Sequence, residues 1–213
     1  MKLEDIRREY LSNGLSREDL APDPIVQFER WMQQADDAGV LDITAMTLAS
    51  VDANGQPSQR VVLLKHVDHQ GFVFYTNLES RKAQEITLNN RVSLLFAWLN
   101  LNRQIIIQGS AEKLSTTEVM KYFVTRPRNS QLAAWASHQS HPVGSRAMLE
   151  QAFDKMKRKF ADGKIPLPGF WGGYRVRHQA LEFWQGRENR LHDRFQYSRQ
   201  HDGQNWEIVR LAP

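Results

Sequence analysis

Hydrophobic and polar residues alternate along two long parts of the chain, from about residue 43 to 111 and again from about residue 174 onwards. Alternation with a period of two is typical of β-strands that bury one face. The turn sequence Ala53-Asn54-Gly55 separates the first two of these runs and favours a hairpin between them. Strands are therefore predicted over residues 43–52, 58–66, 72–76, 92–99, 103–111, 174–184, 190–197 and 206–211.

Apolar residues at helical spacing interrupt this alternation. One such set precedes the first strand and places its members on a single helical face: Ile25, Phe28, Trp31 and Met32. Ser115 and Glu118 have the spacing of a capping box, which predicts a helix from there to about residue 125, before Pro127. Further helices are predicted over residues 80–88, 129–137 and 145–161.

About eight strands in meander order, with most helices inserted late, predict a mainly β fold with helical decoration, of the α+β class. A small closed barrel is the expected architecture, because closure removes exposed sheet edges. The length of 213 residues favours one domain over residues 1–213. Residues 1–20 are polar and contain the Asn13-Gly14 break, so we expect them to form a mobile N-terminal arm.

Composition narrows the functional classes. The formal net charge is only +4 and the basic residues are spread along the chain, so we expect no nucleic-acid partner. The chain has no cysteine, which excludes disulfides and thiolate catalysis and suits a reducing cytoplasm. The longest apolar run, residues 92–99, is far shorter than the roughly 20 residues that span a bilayer, so no membrane partner is expected.

The segment from Arg190 to Phe195 is the most informative candidate site. If it is a strand, Arg190, His192 and Arg194 share one face. Two guanidinium groups with an imidazole between them would suit an anionic cofactor or substrate. The alternative is a solvated sheet edge whose charges pair with neighbouring residues.

Three other groups suggest anion binding. The hydroxyls of Tyr75 and Thr76 end one strand, and Ser80-Arg81-Lys82 begins a helix, where phosphate groups often bind. An N-cap with solvated charges is the alternative reading. Arg60 and Lys65 stand at opposite ends of an apolar stretch and, by simple alternation, on opposite faces.

Tyr122, Arg126 and Ser130 follow one another at intervals of four residues, so that a helix, or two helices joined by a turn, would bring them together. A phenol, a guanidinium and a hydroxyl can orient a phosphate monoester. Alternatively, Tyr122 is a core aromatic residue and Arg126 interacts with a helix dipole. Because common nucleophile, metal and Walker motifs are absent from the sequence, a phosphorylated cofactor is expected to supply the difficult chemistry.

Taken together, the order and spacing of these motifs resemble the pyridoxine/pyridoxamine 5′-phosphate oxidase family. The motifs that carry the resemblance are Arg7-Arg8-Glu9-Tyr10, Arg60-Val61-Val62-Leu63-Leu64-Lys65, Phe74-Tyr75-Thr76-Asn77, Ser80-Arg81-Lys82, Tyr122-Phe123, Arg126-Pro127-Arg128, Gln139-Ser140, Phe170-Trp171-Gly172-Gly173, Arg190-Leu191-His192-Asp193-Arg194-Phe195 and Arg210-Leu211-Ala212-Pro213. The resemblance implies a split-barrel homodimer that binds FMN at the subunit interface.

The resemblance also implies residue roles. The expected FMN contacts are Arg60, Val61, Val62, Leu63, Leu64, Lys65, Tyr75, Thr76, Arg81, Lys82, Gln104, Gln139, Ser140, Trp184 and Arg194. The expected substrate contacts are Arg7, Tyr10, Lys65, Tyr122, Arg126, Ser130, Arg190 and His192, of which Arg190 and His192 are the expected catalytic pair. No metal is expected.

The activity implied by the resemblance is oxidation of pyridoxine 5′-phosphate or pyridoxamine 5′-phosphate to pyridoxal 5′-phosphate, with hydride transfer to N5 of FMN and reduction of O2 to H2O2. Our hypothesis is that His192 orients the substrate more than it abstracts a proton. Two other readings are a flavin reductase on the same barrel and a non-catalytic protein that binds flavin or pyridoxal phosphate.

Overall fold

Nine antiparallel strands form one sheet in the computed structural model, which describes residues 14–137, 139–199 and 205–213. The strands are β1 (Ala45–Val51), β2 (Pro57–Leu63), β3 (His66–Asp68), β4 (Gly71–Asn77), β5 (Arg91–Trp98), β6 (Arg103–Lys113), β7 (Trp171–Gln185), β8 (Asp193–Arg199) and β9 (Trp206–Leu211). The helices are α1 (Pro24–Asp37), α2 (Arg81–Leu88), α3 (Thr116–Phe123), α4 (Arg128–Ala136) and α5 (Arg146–Lys159).

The sheet curls until its two ends meet. Its strand order is β2-β1-β5-β6-β7-β4-β3, so the strands at the two ends, β2 and β3, are consecutive in the chain. The two residues between them bond to both sides, because the Leu64 amide donates to the Thr44 carbonyl and the Lys65 amide donates to the Val73 carbonyl, each at 2.8 Å. The mainly β barrel expected from the meander order is therefore confirmed, and β8 and β9 extend it from the second half of β7.

Aromatic residues fill the barrel. Phe28 on α1 lies with its ring centroid 5.0 Å from that of Phe72 and 5.1 Å from that of Phe96. Trp31, one turn further along α1, meets Phe183 edge to face at 5.2 Å. The apolar face of α1 expected from its sequence spacing therefore closes one end of the barrel, with edge-to-face geometry that favours a defined packing.

A second apolar cluster lies outside the barrel and holds the late helices. β4 is buried on both faces: Phe74 points into the barrel core, and Val73 packs into the outer cluster. Phe123 of α3, Leu132 of α4 and Trp171 of β7 join Val73 there. This packing fixes α3 and α4 beside the ends of β4 and β7, where the candidate site is found.

The strand expected over residues 190–197 begins instead at Asp193. Glu188–Arg190 forms a short 3₁₀ turn, in which Asn189 and Arg190 have left-handed backbone angles, with φ of 55° and 60°. Left-handed residues cannot extend a β-ladder. The expectation that Arg190, His192 and Arg194 share a strand face is therefore wrong. The expected strand over residues 58–66 is likewise divided into β2 and β3.

Part of the expected N-terminal arm is anchored. Leu15 and Leu20 are buried in the barrel core. Arg7 and Tyr10, which the family resemblance assigned to the substrate, lie outside the described residues.

Within the described residues no helix is long and apolar enough to cross a membrane, and no group of three or more potential ligands could hold a metal ion.

Candidate functional site

A cavity of about 720 Å³ opens between β2, the end of β4, the start of α2 and the helices α3 and α4. Many of the residues expected to bind the cofactor or the substrate line it: Arg60, Val61, Val62, Leu63, Lys65, Tyr75, Thr76, Arg81, Lys82, Tyr122, Arg126, Gln139 and Ser140. Their convergence comes from packing, because the segments that carry them are spread over most of the chain.

Glu85 of α2 organises the cationic wall of the cavity. Its Oε2 accepts hydrogen bonds from Ser50 at 2.5 Å, Ser58 at 2.6 Å and Arg60 Nη2 at 3.1 Å, and its Oε1 accepts one from Arg81 Nε at 2.7 Å. Burial favours a raised pKa for this carboxyl, but these hydrogen bonds outweigh burial and lower the pKa of Glu85 to about 2. Glu85 therefore stays charged and holds two arginines in place at the cavity.

Lys82 lies next to this group and is buried, with 8% of its surface exposed. Its ammonium donates to the neutral oxygens Thr76 Oγ1 at 3.2 Å, Ser80 Oγ at 3.3 Å and Gln139 Oε1 at 3.0 Å. Burial and the neighbouring Arg60 lower the pKa of Lys82 to about 8, against the opposing effect of Glu85. A buried ammonium held by neutral acceptors is well placed to receive an anionic ligand.

Stacked aromatic rings form another part of the wall. The ring of Tyr75 stacks on that of Tyr122 at 4.0 Å and on that of Trp171 at 5.4 Å, with interplanar angles of 10° and 1°. A Cβ on Gly173 would lie 2.7 Å from the Phe74 carbonyl oxygen and 2.8 Å from the Tyr75 ring, so the close approach of β7 to β4 here requires glycine. The Gly172-Gly173 pair thus allows the stack to form.

Arg126 is the side chain that most directly indicates anion binding at this cavity. Its guanidinium lies 4.7 Å above the ring of Trp171, and burial lowers the pKa of Arg126. Its Nη1 atom is buried and has no hydrogen-bond partner among the described residues. A buried charged donor without a partner is costly, so a ligand oxygen is expected at this position. Lys65 and Tyr122 line the same cavity and fit a phosphate group.

Apolar side chains complete the cavity. Val61 and Leu63 are 66% and 44% exposed and point outward from β2 onto the cavity. Exposed aliphatic residues beside cations suit a ligand with a planar apolar ring and an anionic tail. FMN has this chemistry, and the cationic wall and the orphan Nη1 of Arg126 fit the phosphate groups of FMN and of a phosphorylated substrate.

Other expected site residues lie away from this cavity. Leu64 is buried in the barrel core, and Ser130 lies in the first turn of α4, outside the cavity lining. Gln104 of β6 pairs with Trp184 of β7, which pairs in turn with Arg194 of β8. Arg194 forms an ion pair with Glu182, at 2.7 Å from its Nε to Oε1, which agrees with the alternative reading of paired charges at the sheet edge.

Arg190 and His192 are found near the opposite end of β7. Gly173 lies beside the cavity and Trp184 lies near the other end of β7, about 36 Å further along the strand at ~3.3 Å per residue. His192 stands beside Trp184, with ring centroids 4.6 Å apart, and lines a smaller cavity of about 350 Å³. One chain therefore presents the two parts of the expected site on different surfaces.

Glu85, Ser58 and Trp171 also belong to the site, and none of them is among the site residues expected from the sequence. Glu85 follows Arg81 by four residues on a helix, which is a spacing that indicates an ion pair and could have identified it. Nothing in the local sequence indicates that Ser58 and Ser50 donate to the same carboxylate, because their meeting depends on the pairing of β1 with β2.

Two family models match the chain. One, described as pyridoxamine 5′-phosphate oxidase, matches residues 32–160. The other, described as the pyridoxine 5′-phosphate oxidase C-terminal dimerisation region, matches residues 171–213. Together they cover the barrel, the cavity and the C-terminal strands.

Full-length relatives agree with these models. The pyridoxine/pyridoxamine 5′-phosphate oxidase of Hahella chejuensis is 63% identical over 214 residues and that of Vibrio cholerae is 61% identical over 213 residues, each match covering 100% of both chains. A crystal structure of PhzG from Burkholderia lata, in complex with tetrahydrophenazine-1-carboxylic acid, superimposes with a TM-score of 0.87 at 31% identity, covering 94% of this chain and 98% of that one. The chain belongs to the pyridoxine/pyridoxamine 5′-phosphate oxidase family.

Proposed function

We propose that this chain is an FMN-dependent oxidase that converts pyridoxine 5′-phosphate and pyridoxamine 5′-phosphate to pyridoxal 5′-phosphate, with both cofactor and substrate held at the 720 Å³ cavity. The observation that carries the proposal is the buried Nη1 of Arg126, which lacks a partner in the described part of the chain and belongs to a side chain that lines the same cavity as Lys65 and Tyr122. A phosphate monoester bound in the cavity would supply an acceptor for this atom.

Two groups of cations on the cavity wall suit two phosphates. Arg60, Arg81 and Lys82 lie together around Glu85 and Thr76, and we assign this group to the FMN phosphate. We assign Lys65, Tyr122 and Arg126 to the substrate phosphate and call these three residues the phosphate cradle. Val61, Leu63 and the stacked rings give the apolar surface for the aromatic rings of both ligands.

Bound FMN would supply the two-electron acceptor, N5, for a hydride from the substrate's 4′ carbon, and O2 would take up the electrons and two protons as H2O2. The residues of this chain bind and orient the substrate and stabilise charge. Lys82 and the arginines beside it would hold the FMN phosphate and so fix the position of the cofactor in the cavity. The phosphate cradle fixes one end of the substrate so that its 4′ carbon meets the acceptor in a reactive geometry.

We infer that the complete site contains residues from two subunits. Arg190, His192, Trp184, Gln104 and Arg194 lie away from the cavity in one chain. The family model covering residues 171–213 is described as a dimerisation region, which supports a homodimer. In such a dimer the second subunit brings its Arg190 and His192 to the cavity of the first, and FMN lies at the interface.

The test of the proposed function is an aerobic assay of the FMN-loaded protein with pyridoxine 5′-phosphate, following the aldehyde product by its absorbance and H2O2 by a coupled peroxidase. The wild-type protein is expected to form both products over many turnovers. Arg126→Leu is expected to lower kcat/KM about 10- to 100-fold, because a hydrogen bond to a charged group contributes about 1.5–3 kcal/mol.

Arg146→Leu is the matched control, since Arg146 is an exposed arginine of α5 whose partner is Glu150. It is expected to leave kcat/KM unchanged. Tight FMN binding without aldehyde formation would instead favour a flavin-binding protein, and rapid bleaching of the flavin by NADPH would favour a reductase.

A further inference from the structure

Asp193 is a buried carboxylate that contacts Leu15, Arg187 and Arg210, which belong to three different segments of the chain. Its Oδ2 accepts the backbone N–H of Leu15 at 2.9 Å and lies 3.4 Å from Arg187 Nη1, and its Oδ1 accepts from Arg210 Nη1 at 2.5 Å. Burial favours a raised pKa, but these partners outweigh burial and lower the pKa of Asp193. Asp193 is therefore a fixed negative charge at the first position of β8.

The turn that precedes Asp193 is strained. Asn189 and Arg190 are consecutive non-glycine residues with φ of 55° and 60°. Such residues persist only where the surrounding contacts hold them. Arg187, at the start of this turn, is held through its guanidinium by Asp193, and the Leu191 amide donates to the Glu188 carbonyl at 3.1 Å.

Arg187 also determines the state of His192. The backbone N–H of Arg187 donates to His192 Nδ1 at 3.1 Å, and the ring of Trp184 lies against the imidazole at a centroid distance of 4.6 Å. A ring nitrogen that accepts a hydrogen bond carries no proton, so this contact selects the tautomer with its proton on Nε2. In this state Nε2 is a donor and cannot abstract a proton.

Residues 14 and 15 pack closely against Arg187 and Asp193. Gly14 has a φ of +80°, and a Cβ there would lie 2.3 Å from Arg187 Nη1 and 2.9 Å from Asp193 Oδ2. The N-terminal segment thus packs directly against the Asp193–Arg187 pair. The pair lies between residues 14–15 and β9, where Arg210 lies above the ring of Phe195 at 4.4 Å.

We propose that Asp193 is a positioning residue that acts through Arg187 to hold His192 as the Nε2–H tautomer, so that His192 donates a hydrogen bond to the substrate and does not serve as the base. The proposal rests on the proposed function in placing His192 against the substrate. In this proposal the contacts of Asp193 with Arg187, and of Arg187 with His192, determine which ring nitrogen of His192 donates to the substrate.

The first test is steady-state kinetics of Asp193→Asn with pyridoxine 5′-phosphate, with rates expressed per bound FMN. Asparagine keeps the shape and one acceptor but removes the charge that holds Arg187. We expect kcat to fall about 10- to 100-fold, as for small misplacements of a reacting group. KM should change less than about threefold, because the phosphate cradle, which sets substrate binding, is intact. Glu112→Gln, which breaks the exposed Arg177–Glu112 pair on β6 and β7, is the control and should retain the wild-type kcat.

The second test needs no turnover. Nitrogen-15 NMR of histidine-labelled protein, with the His192 signals identified by their loss in His192→Asn, should show the Nε2–H tautomer in the wild-type protein and a mixture of tautomers in Asp193→Asn. If Asp193→Asn does not fold, Arg187→Gln replaces it, since that side chain is 47% exposed and its backbone N–H remains. Arg187→Gln is expected to give the same loss of kcat and the same mixture.

The results separate the two proposals. A wild-type kcat per FMN in both variants, or a wild-type His192 that carries its proton on Nδ1, would overturn the role of Asp193. A purely structural role for Asp193 predicts a lower melting temperature with kcat per FMN unchanged, which also contradicts the proposal. Failure of the wild-type protein to oxidise the substrate would contradict the proposed function, while the tautomer measurement would still decide the state of His192.

Discussion

Lys82 and Arg126 are cations that the fold buries in large part at the same cavity; Lys82 donates to neutral oxygens, and Arg126 lies above an aromatic ring. Desolvation lowers the pKa of each of them, because burial disfavours the charged form. This arrangement is unfavourable without a ligand and favourable with an anionic one. These two side chains are therefore expected to contribute part of the free energy of phosphate binding.

FMN affinity should depend on pH through Lys82. Its pKa of about 8 means that the ammonium is charged below pH 8 and increasingly neutral above it. Because a dianionic phosphate favours the charged form, the dissociation constant for FMN is expected to rise about fivefold between pH 8 and pH 9. Quenching of FMN fluorescence on binding measures this constant. Lys82→Arg, which remains charged, should show a flat profile, and an equal slope in both proteins would contradict the assignment.

His178 should link folding stability to pH. It is buried between Trp206 and Phe72, and burial, together with Arg199 and His69, lowers its pKa to about 4 against the opposing effects of Asp23 and Asp68. The unfolded chain takes up this proton near pH 6.5 but the folded chain does not. The stability gained from neutral His178 is therefore complete above pH 6.5 and is lost as the pH falls from 6.5 to 4, by up to about 3 kcal/mol.

Urea unfolding at pH 7 and pH 5 tests this dependence. His178→Phe keeps an aromatic ring between Trp206 and Phe72 and removes the titrating group, so it should lose much of the stability difference between the two pH values. His66→Asn replaces an exposed histidine and should behave like the wild-type protein. A full pH dependence in His178→Phe would assign the effect to other groups.

Helix α3 begins at a capping box that the local sequence predicts, and this helix carries the site residue Tyr122. Ser115 Oγ accepts from the Glu118 N–H at 3.3 Å, and the Glu118 carboxylate accepts from the Ser115 N–H at 3.0 Å. This is the capping box expected from the sequence. It starts the helix that carries Tyr122 to the aromatic stack at the cavity.

Ser115→Ala is expected to destabilise the protein by about 1 kcal/mol, the usual contribution of an N-cap. Because α3 carries Tyr122, fraying of the helix start should weaken the hydrogen bond from Tyr122 to the substrate phosphate. We therefore expect KM for pyridoxine 5′-phosphate to rise two- to threefold. Ser145→Ala removes the N-cap of α5, which carries none of the assigned site residues. It should cost similar stability in urea unfolding and leave KM unchanged, and a rise of KM in both variants would point to a general effect.

Joined as a dimer, two copies of the chain should complete each other's sites. Arg126 lines the large cavity, and His192 lies with the smaller one near the opposite end of β7. In a mixed dimer of Arg126→Leu and His192→Asn subunits, one site carries both substitutions and the other carries neither. Random mixing should therefore restore about a quarter of the wild-type activity from two nearly inactive variants.

Sedimentation is expected to give a mass of about 49 kDa for each preparation, twice the 24.7 kDa of one chain. Subunits purified apart and then mixed without exchange should remain inactive, which controls for residual activity of either variant. Co-expressed subunits that form mixed dimers without regaining activity would show that each site lies within one chain.

Local patterns in the sequence were sufficient to predict most of the helices and strands. Alternation located nearly every strand to within a few residues, the spacing of Phe28 and Trp31 predicted the buried face of α1, and the capping box predicted α3. The order of the motifs also identified the family. The four-residue spacing of Tyr122, Arg126 and Ser130 suggested that they converge, and the first two line the cavity whereas Ser130 does not. Side-chain direction within one element follows from its period, so these features need no tertiary information.

Only the folded chain decided how the elements meet. Closure of the sheet brings Ser50, Ser58 and Arg81 to Glu85, although they come from β1, β2 and α2. The left-handed turn at Asn189 and Arg190 keeps Arg190 out of the strand that carries Arg194, and the length of β7 separates His192 and Arg194 from the cavity. Strand register, curvature and buried charge pairs depend on contacts between residues far apart in the chain, and no pattern within one segment encodes them.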